Sequence, residues 1–355
     1  MSDAPPMERP GRPRAARAAL SRRALVEVGV SAGLGAAAAF LGCSRRATSE
    51  PSADAKGTYA ALNAAEDEGS AITVSGGRDA GANANANATR AQVLEWSFGG
   101  DASPEARAAV VLPPLGPSER TPLLIALHGR GEARKGPELG ALGWPHDYAL
   151  PRAARRLRSP PLRAADFEGF VAPQRLADHN ARLARQAYRG LVVVCPYLPD
   201  LDLRSPLALR DYANYLKHTV LPRARRELPV FPGRASTGID GVSLGGIVAL
   251  RAGLAHPEEY ACVGSLQAAI DDPWIPELVE AVRAARSREP SLRLRLLTSD
   301  RDYFRRVITA ASQALRAASL EHEYLLVPGP HDYPFNRGPG ALEMLLWHDL
   351  LLAHA

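Results

Sequence analysis

The 355-residue sequence predicts an α/β protein whose mainly parallel central sheet is covered by helices on both faces. Three observations carry that expectation. From about residue 92 onward, short continuous apolar runs recur, as in strands buried on both sides. Stretches of helical period separate them, the alternation that builds parallel sheets. A glycine-flanked serine, in Gly241-Val242-Ser243-Leu244-Gly245-Gly246, stands where one such run meets one such period.

Taken in order, the apolar runs predict strands at 93–98, 106–112, 123–127, 191–195, 237–242, 261–266, 292–298 and 323–327. Helices are predicted at 207–227, where Leu209, Tyr212, Leu216 and Val220 share a face, and at 244–255, 275–288, 304–318 and 340–353. The connection 129–189 is too long for a plain loop. It holds its own helical stretches at 149–157 and 175–187, so 133–189 is expected to be an insertion or cap.

Composition narrows the class. With 46% hydrophobic and 23% charged residues the chain is neither collagen-like, coiled-coil nor a polytopic membrane protein. The net charge of +5 dissolves on inspection: six arginines face three acidic residues up to Gly42, and beyond it 37 basic residues face 35 acidic ones. No long basic run exists, so no nucleic-acid partner is expected. Three cysteines make no disulfide scaffold, and without a CxxC or HExxH pattern no metal site is expected. Cys195 and Cys262 lie in apolar runs and are expected as buried free thiols.

Residues 1–42 read as a targeting segment. Arg9, Arg12, Arg14 and Arg17 precede Ser21-Arg22-Arg23-Ala24-Leu25-Val26, which resembles a twin-arginine export signal, and a mildly apolar stretch follows. Phe40-Leu41-Gly42-Cys43 resembles a bacterial lipobox, in which Cys43 is lipidated and becomes the mature N-terminus. Residues 43–91, rich in Ala, Asn, Gly and Ser, have little to bury and are expected to be a disordered tether. Residues 92–355 form the expected catalytic domain.

The chemistry centres on Ser243. A serine on a sharp strand-to-helix turn is pushed above the sheet edge, flanking glycines permit the close packing, and the following helix aims its N-terminal N–H groups at charge developing there. A serine hydroxyl needs a base, and the base an orienting carboxylate. His331, in a Gly/Pro turn after the last strand, is the candidate base. Asp300 and Asp302, both in the loop expected after the 292–298 strand, are candidate acids, with Asp271 and Asp272 as outside options. One of these carboxylates could equally cap the 304–318 helix. Two backbone donors should form an oxyanion hole: Leu244 N–H, after the nucleophile, and Arg130 N–H, in the His128-Gly129-Arg130-Gly131 loop. His128 itself is expected to brace that loop. His218 and His348, on helix faces, are expected to be surface or packing residues.

With these pieces in view, residues 92–355 resemble the α/β-hydrolase superfamily, in particular the putative-esterase group that includes esterase D and the enterochelin esterases. The matching segments are Leu127-His128-Gly129-Arg130-Gly131, Gly241–Gly246, Ala255-His256-Pro257-Glu258-Glu259-Tyr260, Ser299-Asp300-Arg301-Asp302-Tyr303 and Val327-Pro328-Gly329-Pro330-His331-Asp332. The resemblance implies an α/β-hydrolase fold and favours Asp302 as the acid, with Ser299 standing where the family has glycine.

The resemblance also implies a serine carboxylic-ester hydrolase with a Ser243–His331–Asp302 triad, an acyl-enzyme, a small-molecule ester substrate, and no metal or organic cofactor. Alternatives are an acyltransferase of the same fold and a catalytically silent surface-binding lipoprotein. Trp144, Tyr148, Phe167 and Phe170 in the insertion are candidates for the substrate pocket or for packing. The expected location is the bacterial cell envelope, with Cys43 as lipid anchor.

Overall fold

A computed structural model describes residues 91–99, 106–116 and 118–354. The leader, most of the tether and Cys43 therefore lie outside the described residues. Within these, no helix is long and apolar enough to cross a membrane.

Eight strands form one sheet: β1 Gln92–Ser97, β2 Arg107–Leu112, β3 Leu123–Leu127, β4 Val192–Pro196, β5 Thr237–Gly241, β6 Cys262–Leu266, β7 Arg293–Arg301 and β8 Glu323–Pro330, in spatial order β1-β2-β4-β3-β5-β6-β7-β8. β1 and β2 run antiparallel to their neighbours, and from β4 to β8 the sheet is parallel. The sheet is thus mixed but mostly parallel.

Alternation along each strand divides the core in two. Leu123, Ile125 and Leu127 face one layer, with α4 (Pro206–Tyr215, continuing as a helix to Glu227), α5 (Leu244–Ala255), α6 (Ile275–Arg288) and α7 (Arg305–Ala317). Leu124 and Ala126 face the other, with α2 (Leu150–Leu157), α3 (Pro173–Arg185) and α8 (Ala341–Leu351); the short α1 (Arg130–Ala133) follows β3, its Ala133 packed in the first layer. The insertion therefore packs its helices on a sheet face. Trp144 and Phe167 are fully buried in that layer as packing residues, one of the two roles expected of them.

Strand order also fixes where a site can form. The chain leaves β3 through helices on one face to reach β4, then returns through α4 on the opposite face to β5, on the other side of β3. Such a reversal opens a crevice at the carboxyl ends of the strands, here between β3 and β5. The loop after β3 and the Ser243 turn after β5 both sit at it.

Two strands run three residues beyond their expected ends. β7 continues through Ser299 and Asp300 to Arg301, and β8 through Pro328 and Gly329 to Pro330, pairing across a bulge between Ser299 and Arg301. Polar and proline residues hide this pairing from any periodicity, because the register comes from the neighbouring strand. Asp300 is thus a strand residue, and Asp302 and His331 are the first residues past paired strand ends.

α8 is buried nearly all round, and its polar residues find partners on other elements. Glu343 accepts from Arg175 (2.8 and 2.5 Å) and from His179 Nε2 (2.8 Å), while His348 Nε2 meets Asp240 at 3.1 Å. His348 is thus the packing residue expected, whereas His218 is exposed. Cys195 and Cys262 are buried free thiols, and burial pushes the Cys262 thiol up to about 12.

Candidate active site

Ser243 occupies the turn between β5 and α5 with φ 57° and ψ −115°, a left-handed backbone that a residue with a Cβ adopts only under strain. Its N–H donates to Leu266 O (2.9 Å), and its carbonyl accepts from Ala269 N–H (3.0 Å). These bonds to the strand next door hold the turn in place. The glycines are required by close approach: a Cβ on Gly245 would collide with the Leu127 and His128 carbonyls, and one on Gly241 with the Gly245 carbonyl. The Ser243 side chain caps nothing, and Leu244 N–H, at the first position of α5, has no intrahelical acceptor.

Beyond the end of β8, His331 Nδ1 lies 2.8 Å from Asp302 Oδ1. A carboxylate only accepts, so Nδ1–H donates and Nε2 is left as the basic nitrogen. The Asp302 side chain is fully buried, accepting in addition from Thr298 Oγ1 (2.7 Å) and Phe304 N–H (2.9 Å). Its Oδ1 thus holds both the His331 ring and the turn that leads into α7. Tyr303 packs on the His331 ring at 4.2 Å and Phe304 meets it edge-on at 5.6 Å.

The other carboxylates have other partners. Asp300 accepts from Gly329 N–H (2.9 Å), Asp271 caps Trp274 N–H (3.3 Å), and Asp272 pairs with Arg306. Among the described residues, no group of three or more His, Cys, Asp and Glu could hold a metal ion.

The loop after β3 is braced from below. Buried His128 donates from Nδ1 to Gly129 O (2.9 Å) and accepts Leu198 N–H at Nε2 (2.9 Å), and burial lowers its pKa to about 4, so the ring stays neutral. Arg130 opens α1, leaving its N–H without an intrahelical acceptor, while its guanidinium pairs with Asp200 (2.7 Å). A Cβ on Gly129 would lie 3.8 Å from Ser243 Cβ, so this loop and the serine turn are in contact range.

Four residues of this region were not singled out for it by sequence reasoning. Gln267, itself at φ 46°, reaches from beside the Ser243 turn to Ser299 Oγ (2.6 Å) and Pro330 O (2.8 Å), bridging to the residue before His331. Glu132, buried beneath the Gly129 loop, is held by Tyr148 and Tyr333. Of these four, Tyr148 was expected only as a pocket or packing aromatic. The only local signals are a polar residue in a strand-end loop and an acid in a glycine-rich one, and neither reveals its partner.

Sheet order, helices on both faces and a strained serine turn at the carboxyl edge define an α/β-hydrolase fold. Residues 205–322, a stretch that includes Ser243 and Asp302, match the family model described as "Putative esterase". Among solved structures, a ferulic acid esterase superposes with a TM-score of 0.57 at 15% identity, over 75% of this chain and 100% of that one. The fluorophosphonate-binding serine hydrolase FphF of Staphylococcus aureus gives 0.52 at 13%, over 73% and 99%. At such identities the likeness concerns the fold alone. No curated protein matches the sequence.

Proposed function

We propose that the chain is a serine carboxylic-ester hydrolase. Ser243 Oγ attacks the ester carbonyl carbon while His331 Nε2 takes its proton, and Asp302 stabilises the imidazolium that forms. The amides of Leu244 and Arg130 receive the tetrahedral oxyanion. His331 then passes the proton to the leaving alcohol, which departs and leaves the acyl group on Ser243. Water, deprotonated by the same nitrogen, resolves the acyl-enzyme and releases the acid.

One observation supports this above the others: a serine in strained backbone at the crevice, on a sheet whose later strand ends carry a bonded His331–Asp302 pair. A packed core gains nothing from holding Ser243 in that conformation, which costs roughly 1–3 kcal/mol. The location belongs to the same proposal: export through the twin-arginine-type leader and anchoring through a lipid on Cys43, at the cell envelope.

The test is fluorophosphonate labelling of the full chain with peptide mapping. A single adduct on Ser243, lost in His331→Ala, is expected, together with turnover of simple esters. A folded chain that takes no label and turns over no ester would overturn the assignment. For the anchor, a fatty-acid label incorporated by the wild type and absent from Cys43→Ser is expected; equal incorporation in both would remove Cys43 from that role.

A further inference from the structure

Beneath the Gly129 loop lies a buried carboxylate that the ester-hydrolysis mechanism does not use. Glu132, third residue of α1, is 1% exposed. Tyr148, in the insertion, donates its hydroxyl to Oε2, and Tyr333, two residues past His331, donates to Oε1 at 2.6 Å. Lys135 Nζ stands 3.8 Å from Oε1 while pairing with Asp147 at 2.8 Å. The Tyr148 oxygen accepts Gly129 N–H at 3.3 Å. Two chain segments, 16 and 201 residues away from Glu132, thus converge on one carboxylate.

The environment is built around this group. A Cβ on Gly129 would stand 3.3 Å from Glu132 Oε2 and 3.2 Å from Tyr148 Oη, and one on Gly131 would stand 3.1 Å from Tyr333 Oη. Tyr148 packs edge-on against Trp144 at 4.9 Å, which fixes its ring. Burial, reinforced by Glu132, raises its pKa well above 10, so the group remains a hydroxyl and its single O–H is directed at Glu132. With that proton committed, the lone pairs of Tyr148 are what Gly129 N–H meets.

We infer that Glu132 is the positioning residue of the oxyanion hole: through Tyr148 it engages Gly129 N–H and holds the His128–Gly129 peptide, the step in the chain just before the one that carries Arg130 N–H, and through Tyr333 it ties this loop to the loop carrying His331. This rests on the ester-hydrolase proposal. The Gly129 amide is occupied by Tyr148, so Arg130 N–H is the donor this loop presents to the oxyanion. Donors held in advance cost no reorganisation when the charge forms, and a supporting residue of this kind acts on the transition state rather than on substrate binding.

The test compares Tyr148→Phe, Glu132→Ala and Glu132→Gln in the full chain, with kcat and KM on p-nitrophenyl acetate and the inhibition constant of a trifluoromethyl ketone, whose hemiketal oxyanion occupies the same hole. Tyr148→Phe and Glu132→Ala are expected to lower kcat roughly 10–100-fold, the range for lost supporting contacts, with KM changed by less than about 3-fold. Ketone affinity should fall by the same factor as kcat. Glu132→Gln, which still accepts from one tyrosine, should recover part of both.

Unchanged kcat, or a loss of kcat with ketone affinity intact, would overturn the inference and leave Glu132 a structural residue. Should Glu132→Ala fail to fold, Tyr148→Phe, which keeps the ring against Trp144, carries the comparison alone. An unlabelled and inactive wild type would overturn the ester-hydrolase proposal and this inference with it. An active wild type with indifferent variants would overturn this inference only.

Discussion

Asp302→Asn keeps the size of the side chain and deletes its charge, and the structure says what remains. The asparagine carbonyl can occupy the Oδ1 position, still accepting from His331 Nδ1–H and Phe304 N–H, now 2.8 and 2.9 Å from that oxygen. The amide nitrogen then faces Thr298 Oγ1, a hydroxyl able to turn from donor to acceptor. Fold and tautomer are therefore preserved, and the loss is the attraction between carboxylate and the imidazolium formed in the transition state. For unit charges about 4 Å apart at an effective dielectric near 20, that attraction is about 4 kcal/mol. At about 1.4 kcal/mol per decade, kcat should fall roughly 10³-fold. The assay is kcat on p-nitrophenyl acetate, beside a thermal melt showing the variant folded. Asp300→Asn, altering a half-exposed side chain bonded to Gly329 N–H, should stay within about 5-fold. A near-normal Asp302→Asn with a disabled Asp300→Asn would refute the reasoning and reassign the acid.

Two other perturbations test different parts of the structure. Ser243→Gly relieves the φ 57° strain that Ser243→Ala retains, so both should be inactive, with the glycine variant melting about 2–4 °C higher; equal melting temperatures would remove the strain argument. Glu343 carries the acid limb of stability. Burial raises its pKa, but hydrogen bonds from Arg175 and His179 outweigh this and hold it at about 2, below the ordinary 4.5. A depressed carboxyl stabilises fully above its unfolded pKa and loses that contribution as pH falls through the folded one. Glu343→Gln should thus be less stable by about 3 kcal/mol at pH 6, with the gap closing toward pH 2. A gap independent of pH in chemical unfolding would contradict this.

Much of the architecture was legible because burial on both faces leaves an unbroken apolar signature. The 123–127 run became β3 without change, and the 244–255 and 275–288 periods became α5 and α6. The order Ser243, Asp302, His331 follows the order of strands whose carboxyl ends share one edge, so the distance along the chain was no obstacle. Legibility ended where a residue's role depends on a partner far away in sequence. The extensions of β7 and β8 exist only as a pair. Trp144 and Phe167, aromatics in an insertion, gave no sign that they would be sealed in the core. Gln267, Glu132 and Tyr333 lie just past strand ends, in segments whose composition suggests solvent.

The sequence by itself determined the alternation of strands and helices, the serine turn with its paired glycines, and the glycine-rich loop after β3. Each follows from local sterics and from where apolar side chains can be buried. Tertiary structure alone decided that Asp302 rather than Asp300 meets His331, that β2 runs against the rest of the sheet, and that Glu132 meets Tyr148 and Tyr333. These outcomes depend on strand register and on side chains converging from separate segments. Hydrogen bonds of fixed length between distant residues are set by the packed sheet and its bulge, and no local pattern encodes them.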